Sequence, residues 1–387
     1  MNINKKKLVG IILLTVFSTW FLTVGFLLWA LDIDGTKLGN LSRFLGALKF
    51  IETRYVNTVD DTTVMNGAIS GMVQALGDPH SIYLDSAMYR QLTEQVEGHF
   101  GGIGVYMGFK EGKVELISVI PDTPGERAGL LPNDEILAVN GVAVAEMQPE
   151  EVALNIRGEV GTEVNILVHR AGEEDKVYTI VRDTITVKTV AGRMLEGDLG
   201  YLRIAAFSEN TGEEFATTYE ALKKQGAKGI ILDLRANPGG LVTSCVEVAR
   251  HLVPAGNIVS VIDRDGDRQD FDSDLTAIEL PLTVLIDGNS ASAAEILAGA
   301  LQDTHTATIV GTKSYGKGSV QTVIPLFHDD AVKLTIAKYY TPSGRSIDGI
   351  GIEPDVVVEL PPNATSDEQL QKATAVLLGQ ISPGEEG

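Results

Sequence analysis

Cysteine and histidine are scarce in this chain, and each scarcity excludes a class of chemistry. A single cysteine, Cys245, among 387 residues leaves no intramolecular disulfide. It falls in LVTSCVEVARHLV, which reads as a buried helix, so its thiol is expected to fill core space. None of the six histidines stands in a recognisable triad setting, so the base for any nucleophile must come from another residue type. Positive charge is short as well. Lys and Arg number 31 against 52 Asp and Glu, and the formal net charge of -21 argues against nucleic acid or an anionic bilayer surface as a partner. Repeats and low-complexity linkers are absent. At 44% hydrophobic and 21% charged the chain is globular, and its length calls for two or three folded units.

Charge is missing altogether from Leu8 to Ala30, a run of 23 residues that contains both tryptophans, Trp20 and Trp29. At about 1.5 Å per residue this run can cross about 30 Å of hydrocarbon as a helix. Lys5, Lys6 and Lys7 precede it and Asp32 and Asp34 follow, which keeps the lysines cytoplasmic and sends the rest of the chain outside. A cleaved signal peptide is the alternative. Its apolar part usually spans about 7–15 residues and ends in a small-x-small site, and neither feature fits well. The expectation is a single-pass anchor in the cell membrane.

From Leu41 to Glu97 the apolar positions recur at helical spacing, in LSRFLGALKFIETRYV, TTVMNGAISGMVQALGD and a third segment after DPHSIYL. Asp78-Pro79-His80-Ser81 has the look of a ligand cluster. A turn explains it better, with Pro79 ending the preceding helix and Asp78 and Ser81 bonding local backbone. Gly98 to about Val187 alternates as short strands with two short helices. From Lys188 the pattern becomes α/β: LGYLRIAAF is a strand, NTGEEFATTYEALKKQG a capped helix, KGIILDLRANPGG a buried strand running into a glycine turn. Asp233 and Arg235 share a strand face and are expected to form a structural ion pair. Further on, SVQTVIPLF and AVKLTIAKYY read as antiparallel strands around His328-Asp329-Asp330, and SDEQLQKATAVLLG as a last helix.

The chemistry concentrates between Asp287 and Gln321. An apolar strand, Leu282 to Ile286, enters a small-residue turn, then a helix, a second strand and a glycine-flanked lysine loop. A serine in a tight turn at a helix N-terminus exposes its hydroxyl beside outward-pointing backbone N–H groups, which suits attack on a carbonyl. Ser292 holds that place. Lys317, in YGKGSVQ, is the candidate general base, because its flanking glycines let neighbouring backbone approach closely. Other readings compete. Gly311 to Gly318 matches the phosphate-loop pattern up to its last place, where Gly318 replaces the Ser or Thr that holds magnesium, and a strand rather than a helix follows. Ser314 to Lys317 spells S-x-x-K, but Gly316 and Gly318 oppose the helical turn that pair needs. His305 could pair with Ser292, although a histidine at a helix end more often caps it. Taken alone, the segment could also be a helix start that merely packs tightly.

SASAAEI, followed by a lysine 25 residues beyond Ser292 and a glutamine four further on, resembles the carboxy-terminal processing peptidases, or tail-specific proteases. The resemblance runs from about Leu41 to about Leu377 and departs at Ala294, where a third serine is frequent. It implies that Ser292 attacks, Lys317 is the base and Gln321 orients the lysine. It further implies an oxyanion held by the N–H of Gly239 or Gly240, at the turn Asn237-Pro238-Gly239-Gly240, and by the N–H of Ala293. The family carries the DPHS element without a metal, and the loop Thr341 to Asp355 is also typical of it. AGLLPNDEILAVNG, within the region of short strands, resembles a PDZ domain. There Gly102-Ile103-Gly104-Val105 would present backbone N–H groups to a substrate's terminal carboxylate while the strand edge pairs with the peptide.

The reading is therefore a multidomain α+β protein: a transmembrane anchor over 8–30, a helical scaffold over 37–97, a PDZ domain over 98–187, an α/β Ser-Lys serine peptidase core over 188–360 and a C-terminal helix and tail over 361–387. Its substrates are extracytoplasmic proteins or peptides with apolar C-termini, cut near that end; the helical region leaves room for a homo-oligomer. No metal or cofactor is called for. A free lysine with a pKa near 10.4 needs a fall of roughly three units, about 4 kcal/mol, to act as a base at neutral pH. A neutral amide at Gln321 would hold the amine without raising that pKa again, and residues four apart on a strand would let the two meet. An anchored PDZ adaptor with an inactive peptidase-like fold is the alternative.

Overall fold

The computed structural model describes residues 5–30, 34–110, 113–327, 329–359, 361, 364 and 366–381. Asp32, read above as the first acid past the anchor, and His328 of the hairpin turn lie outside them. The chain divides into two compact units, one ending at Gly77 and one beginning at Asp78. The first holds three helices, α1 (Lys5–Ala30), α2 (Gly35–Arg54) and α3 (Asp61–Gln74). Val9 to Phe26 in α1 is apolar and long enough to cross a membrane. Aspartates start the other two: Asp34 accepts the Lys37 N–H at 2.8 Å and Asp60 that of Thr63 at 2.7 Å, satisfying donors that a helix start leaves unpaired.

The second unit opens with β1 (Ile82–Leu84), α4 (Ser86–Glu97) and β2 (His99–Gly102). It continues with β3 (Val105–Lys110), β4 (Lys113–Val119), α5 (Pro124–Ala128), β5 (Glu135–Val139), β6 (Val142–Ala143), α6 (Pro149–Ile156), β7 (Glu163–His169), β8 (Lys176–Val181) and β9 (Asp183–Thr186). Strands β3-β4-β5-β7-β8 form one antiparallel sheet with β3 at its edge, and β6 pairs with β5. Alternate residues such as Val164, Ile166 and Val168 turn inward to a core of their own with Leu116, Ile136 and Val152. A separate ribbon, β2 with β9, brings the two ends of this region together.

Next come β10 (Val190–Leu195), β11 (Leu199–Ile204), α7 (Thr211–Lys224), β12 (Gly229–Asp233), α8 (Val242–Ala249), β13 (Gly256–Asp263), β14 (Arg268–Ser273), β15 (Leu282–Ile286), α9 (Ala293–Asp303), β16 (Ala307–Gly311), β17 (Ser319–Pro325), β18 (Ala331–Tyr340), β19 (Val356–Val357) and α10 (Glu368–Ile381). The sheet β10-β11-β12-β15-β16-β19 is parallel except at β10, and its central strands are buried on both faces. Ile230 and Leu232 belong to the core shared with α7, α8 and α9, while Ile231 between them packs with Ala373 and Leu377 of α10. Period-two alternation thus serves two helical layers at once. Arg235, just past β12, fastens the second layer: it bonds Asp233 at 2.6 Å and Asp367, ahead of α10, at 2.8 Å. The expected ion pair is there, with a third member. A second sheet, β1-β18-β13-β14 with β17 on β18, completes the unit. The strand β1 is a departure from the reading of DPHSIYL as a plain connection, since it crosses to pair with β18 from Ile82↔Lys333 to Leu84↔Ala331.

Candidate active site

Two tight turns leave the carboxyl ends of neighbouring parallel strands, the place where open α/β sheets gather reactive groups. One follows β12 and carries Asn237 to Gly240; the other follows β15 and carries Asp287 to Ser292. They are laced together. The Ala291 N–H donates to Asn237 O at 2.9 Å, and the Ser290 hydroxyl, fully buried, donates to Leu234 O at 2.8 Å. The Ala236 N–H reaches Asp287 Oδ1 at 2.9 Å. Ser290 is therefore a structural tie, and the second serine is the one presented at the helix start.

Ser292 sits at φ 54°, ψ -116°, a conformation rare for a residue with a side chain and worth about 1–3 kcal/mol of strain. Gly239 lies against it. A Cβ on Gly239 would come 2.7 Å from Ser292 Cβ and 3.0 Å from Ala293 N, so only glycine permits this approach. Of the two candidate oxyanion donors in the turn, the Gly239 N–H already donates to Asn237 Oδ1 at 2.8 Å. The N–H groups of Gly240 and Ala293 have no acceptor among the described residues. Tyr339, buried on β18, faces the Ser292 hydroxyl; burial pushes its phenol pKa up, and the neighbouring hydroxyl acts in the opposite direction.

Glu295, wholly buried in the first turn of α9, connects the serine to the lysine loop. Its Oε2 accepts the Ser292 N–H and the Lys317 N–H, each at 2.8 Å, so the two backbone nitrogens are no farther apart than twice that distance. Its Oε1 accepts the Ser314 hydroxyl at 2.5 Å and the Gly316 N–H at 2.7 Å. Four donors fill the acceptor capacity of one carboxylate. The loop Thr341 to Asp355 closes from the other side, with Ile352 N–H on Ser314 Oγ at 2.6 Å and Gly349 N–H on Gly316 O at 2.8 Å. Burial is the main cause that lowers the Lys317 pKa; the charge of Lys333 on β18 adds to it and that of Glu295 opposes it.

Gln321 lies in β17 opposite Thr335, and its Nε2 donates to Ser319 Oγ at 2.9 Å and Thr335 Oγ1 at 3.2 Å. Strand alternation does not explain its placing, which corrects the expectation above. Lys317 precedes β17, which begins at Ser319, so the two residues do not share a strand. His305 follows the far end of α9, about 16 Å of helix from Ser292, and is exposed. It does not serve Ser292. Ser314 is occupied by Glu295 and Ile352, outside any helix, and the segment after Gly318 is a strand, so neither the S-x-x-K nor the phosphate-loop reading holds. In the region of short strands, Gly104 stands at φ +77° against Thr123, and the N–H groups of Ile103 and Gly104 have no acceptor among the described residues. Gly102 ends β2, and Val105 begins β3, the sheet edge.

Comparison with known proteins gives matches over most of the chain. The model of peptidase family S41 matches residues 198–358, that of the PDZ domain residues 116–170, and that of the N-terminal domain of the activating protease CtpB residues 32–88. A carboxy-terminal-processing protease of Bartonella bacilliformis is 42% identical over 329 residues, which cover 83% of this chain and 75% of the relative. The chain belongs to the carboxy-terminal processing proteases of family S41. The carboxy-terminal processing protease CtpB of Bacillus subtilis is 37% identical over 321 residues, covering 81% of this chain and 67% of the relative. Among solved structures, the photosystem II D1 C-terminal processing protease is 30% identical over 86% of this chain and 90% of its own, with a TM-score of 0.49.

For an S41 protease, sequence reasoning passed over four residues near the site: Glu295, Thr335, Lys333 and Tyr339. Only Glu295 carries a local signal, the S-x-x-E spacing of a capping box from Ser292, and that signal speaks of a helix start rather than of a joint to a loop 20 residues on. Because each hydrogen bond to a buried charge is worth about 1.5–3 kcal/mol, Glu295→Gln, which turns an acceptor into a donor facing N–H groups, is expected to lower unfolding stability by about 3 kcal/mol. It should also slow labelling of Ser292 by a small fluorophosphonate about 100-fold. Urea unfolding and labelling rates check this, and a variant that labels at the native rate would show that the two backbones hold together without it.

Proposed function

We propose that the chain is a serine endopeptidase that cuts proteins outside the cytoplasm near their C-termini, with Ser292 as nucleophile, Lys317 as general base and Gln321 as the residue that orients the lysine. The observation that carries this reading is the shared bonding of the Ser292 and Lys317 backbones to one Glu295 oxygen, which brings two distant residues to a single place. A lowered lysine pKa supports it, since only the neutral amine can take the serine proton. In this reading Lys317 accepts the Ser292 proton as Oγ bonds to the substrate carbonyl. The resulting oxyanion is received by the N–H of Ala293 and by the Gly239–Gly240 turn, where Gly240 has the uncommitted donor. The protonated lysine returns its proton to the leaving amine, and water then releases the acyl group by the same route. The strained turn holds the buried Ser292 at the helix N-terminus, whose dipole suits developing negative charge.

Substrate choice is assigned to the PDZ unit, over 98–187. Free N–H groups at Ile103 and Gly104 beside the open edge of β3 fit a chain end, with its carboxylate on the loop and its backbone added to the sheet. Residues Leu8 to Ala30 are assigned to the membrane, with the lysines before them cytoplasmic and the protease outside. Fractionation tests that part: the mature protein should stay with membranes and retain its N-terminus, and a soluble form beginning after residue 25 would refute it.

For the dyad, Ser292→Ala and Lys317→Ala should each abolish peptide cleavage, and Lys317→Arg should do no better, because a guanidinium does not deprotonate in the working range. Retained cleavage in Lys317→Arg, or native cleavage with no fluorophosphonate labelling of Ser292, would sink the assignment; an inactive adaptor would neither cleave nor label. Activity should rise with pH through the Lys317 pKa. Lys333→Met removes a like charge that disfavours the protonated amine, so the Lys317 pKa rises and the ascending limb moves to higher pH; Lys333→Glu moves it further. A limb that stays in place or moves to lower pH in both variants would remove Lys317 as the titrating base.

For tail recognition, a substrate with an apolar C-terminus should be cut faster than the same peptide carrying a C-terminal amide, which lacks the charge the loop receives. Gly104→Val adds a side chain at positive φ against Thr123 and should weaken cleavage of the free-acid peptide while sparing its own slow cleavage of the amide. Equal cleavage of both peptides by the native protein would leave an ordinary Ser-Lys endopeptidase.

A further inference from the structure

The turn Asp78-Pro79-His80-Ser81 does more than end a helix. Asp78 Oδ1 accepts the His80 N–H at 3.0 Å, the local bond a turn predicts. Ser81, however, is buried and reaches a strand 254 positions away. Its hydroxyl donates to Asp78 Oδ2 at 2.6 Å, and a hydroxyl has one proton to give. With that proton committed to the carboxylate, Ser81 Oγ can only accept, and it accepts the Thr335 backbone N–H at 3.0 Å.

Thr335 needs this support because of where it stands. β1 pairs with β18 only from Ala331 to Lys333, and the β17–β18 ladder passes from Val320↔Ala337 to Gln321↔Thr335, leaving Ile336 as an extra residue. At such a bulge the ladder alone does not fix the backbone. Thr335 is also the residue opposite Gln321, and its Oγ1 accepts from Gln321 Nε2. Together with Ser319 Oγ it uses both protons of that amide nitrogen, so the carboxamide oxygen is the end left over for the Lys317 amine.

We propose that Asp78 and Ser81 are positioning residues for the general base: by pinning Thr335 they fix which end of the Gln321 amide faces Lys317. The inference rests on the reading of Gln321 as the lysine's partner. Burial works against the Asp78 charge, but hydrogen bonds from Ser81, Thr335 and His80 outweigh it and hold the pKa at about 2, so the arrangement stays charged throughout the range in which a peptidase of this kind works.

Labelling of Ser292 by a small fluorophosphonate reads the base without involving peptide binding. Thr335→Val and Ser81→Ala are each expected to slow it about tenfold, the scale of one lost hydrogen bond, while Thr335→Ser, which keeps the hydroxyl, stays within about twofold of the native rate. In a double-mutant cycle, Thr335→Val should add nothing to Gln321→Ala, because both act through the same amide. Native labelling in Thr335→Val and Ser81→Ala, with Gln321→Ala slow, would overturn the positioning role and leave Gln321 in place. Effects that multiply in the double variant, or a Thr335→Ser as slow as Thr335→Val, would reduce Thr335 to general packing and overturn it equally. Native labelling in Gln321→Ala would instead remove the amide from the mechanism, and the inference with it.

Discussion

Glu295 is the side chain on which the site's alignment depends. A buried carboxylate is expensive to desolvate, and it persists where donors replace the lost water in full. Here they do, since each oxygen takes two. Two of those donors come from opposite sides of the active centre, the Ser292 N–H at the start of α9 and the Lys317 N–H in a loop between two strands. Its position in the first turn adds a favourable interaction with the helix dipole. The same charge has a drawback, because an anion near Lys317 favours the ammonium form. Burial and Lys333 act in the opposite sense and prevail, so the lysine pKa is lowered despite its aligning carboxylate.

Alignment also requires a strained backbone at Ser292, and the neighbouring turn keeps that strain from relaxing. Ala291 is held by Asn237, Ser290 by Leu234, and Gly239 packs where any side chain would strike Ser292. Asn237 has no exposed surface and uses its amide on both sides, donating to Ile204 O and accepting from Gly239. One consequence is chemical. An N–H that secures the turn is not free for an oxyanion, so of the two glycines only Gly240 keeps an uncommitted donor.

Much of this was legible in the sequence where the signal is local. The continuous apolar runs of β12 and β15 announce strands buried on both faces, and the small-residue turn at Ser290 to Ser292 announces a tight strand-to-helix crossing. Strands β10, β13 and β14 escaped notice because their sequences are polar on one face or at one end, as in RQDFDS, and their pairing is set by partners far along the chain. Gln321 was reached through the family resemblance, but the geometric reason given for its meeting Lys317 failed, since Lys317 lies ahead of β17 and the bulge at Ile336 of β18 is invisible in the sequence. Lys333, Thr335 and Tyr339 carry no local mark at all. Their roles come from one strand, β18, laid across the site by pairing with β1, β13 and β17.

In the proposed reading that pairs Gln321 with Lys317, an amide suits that place better than an acid. With Glu295 already supplying one negative charge, a second carboxylate near Lys317 would favour the ammonium further and work against the burial that lowers its pKa. A cation on β18, by contrast, disfavours the ammonium, and Lys333 is placed to do so from the strand facing β17. Gln321 can hold the amine through its oxygen and remain uncharged, provided its nitrogen is kept occupied. The hydroxyls of Ser319 and Thr335 keep it so. In that reading, charge and orientation fall to different residues of one β-hairpin: Lys333 disfavours the ammonium of Lys317, while Ser319 and Thr335 hold the Gln321 amide.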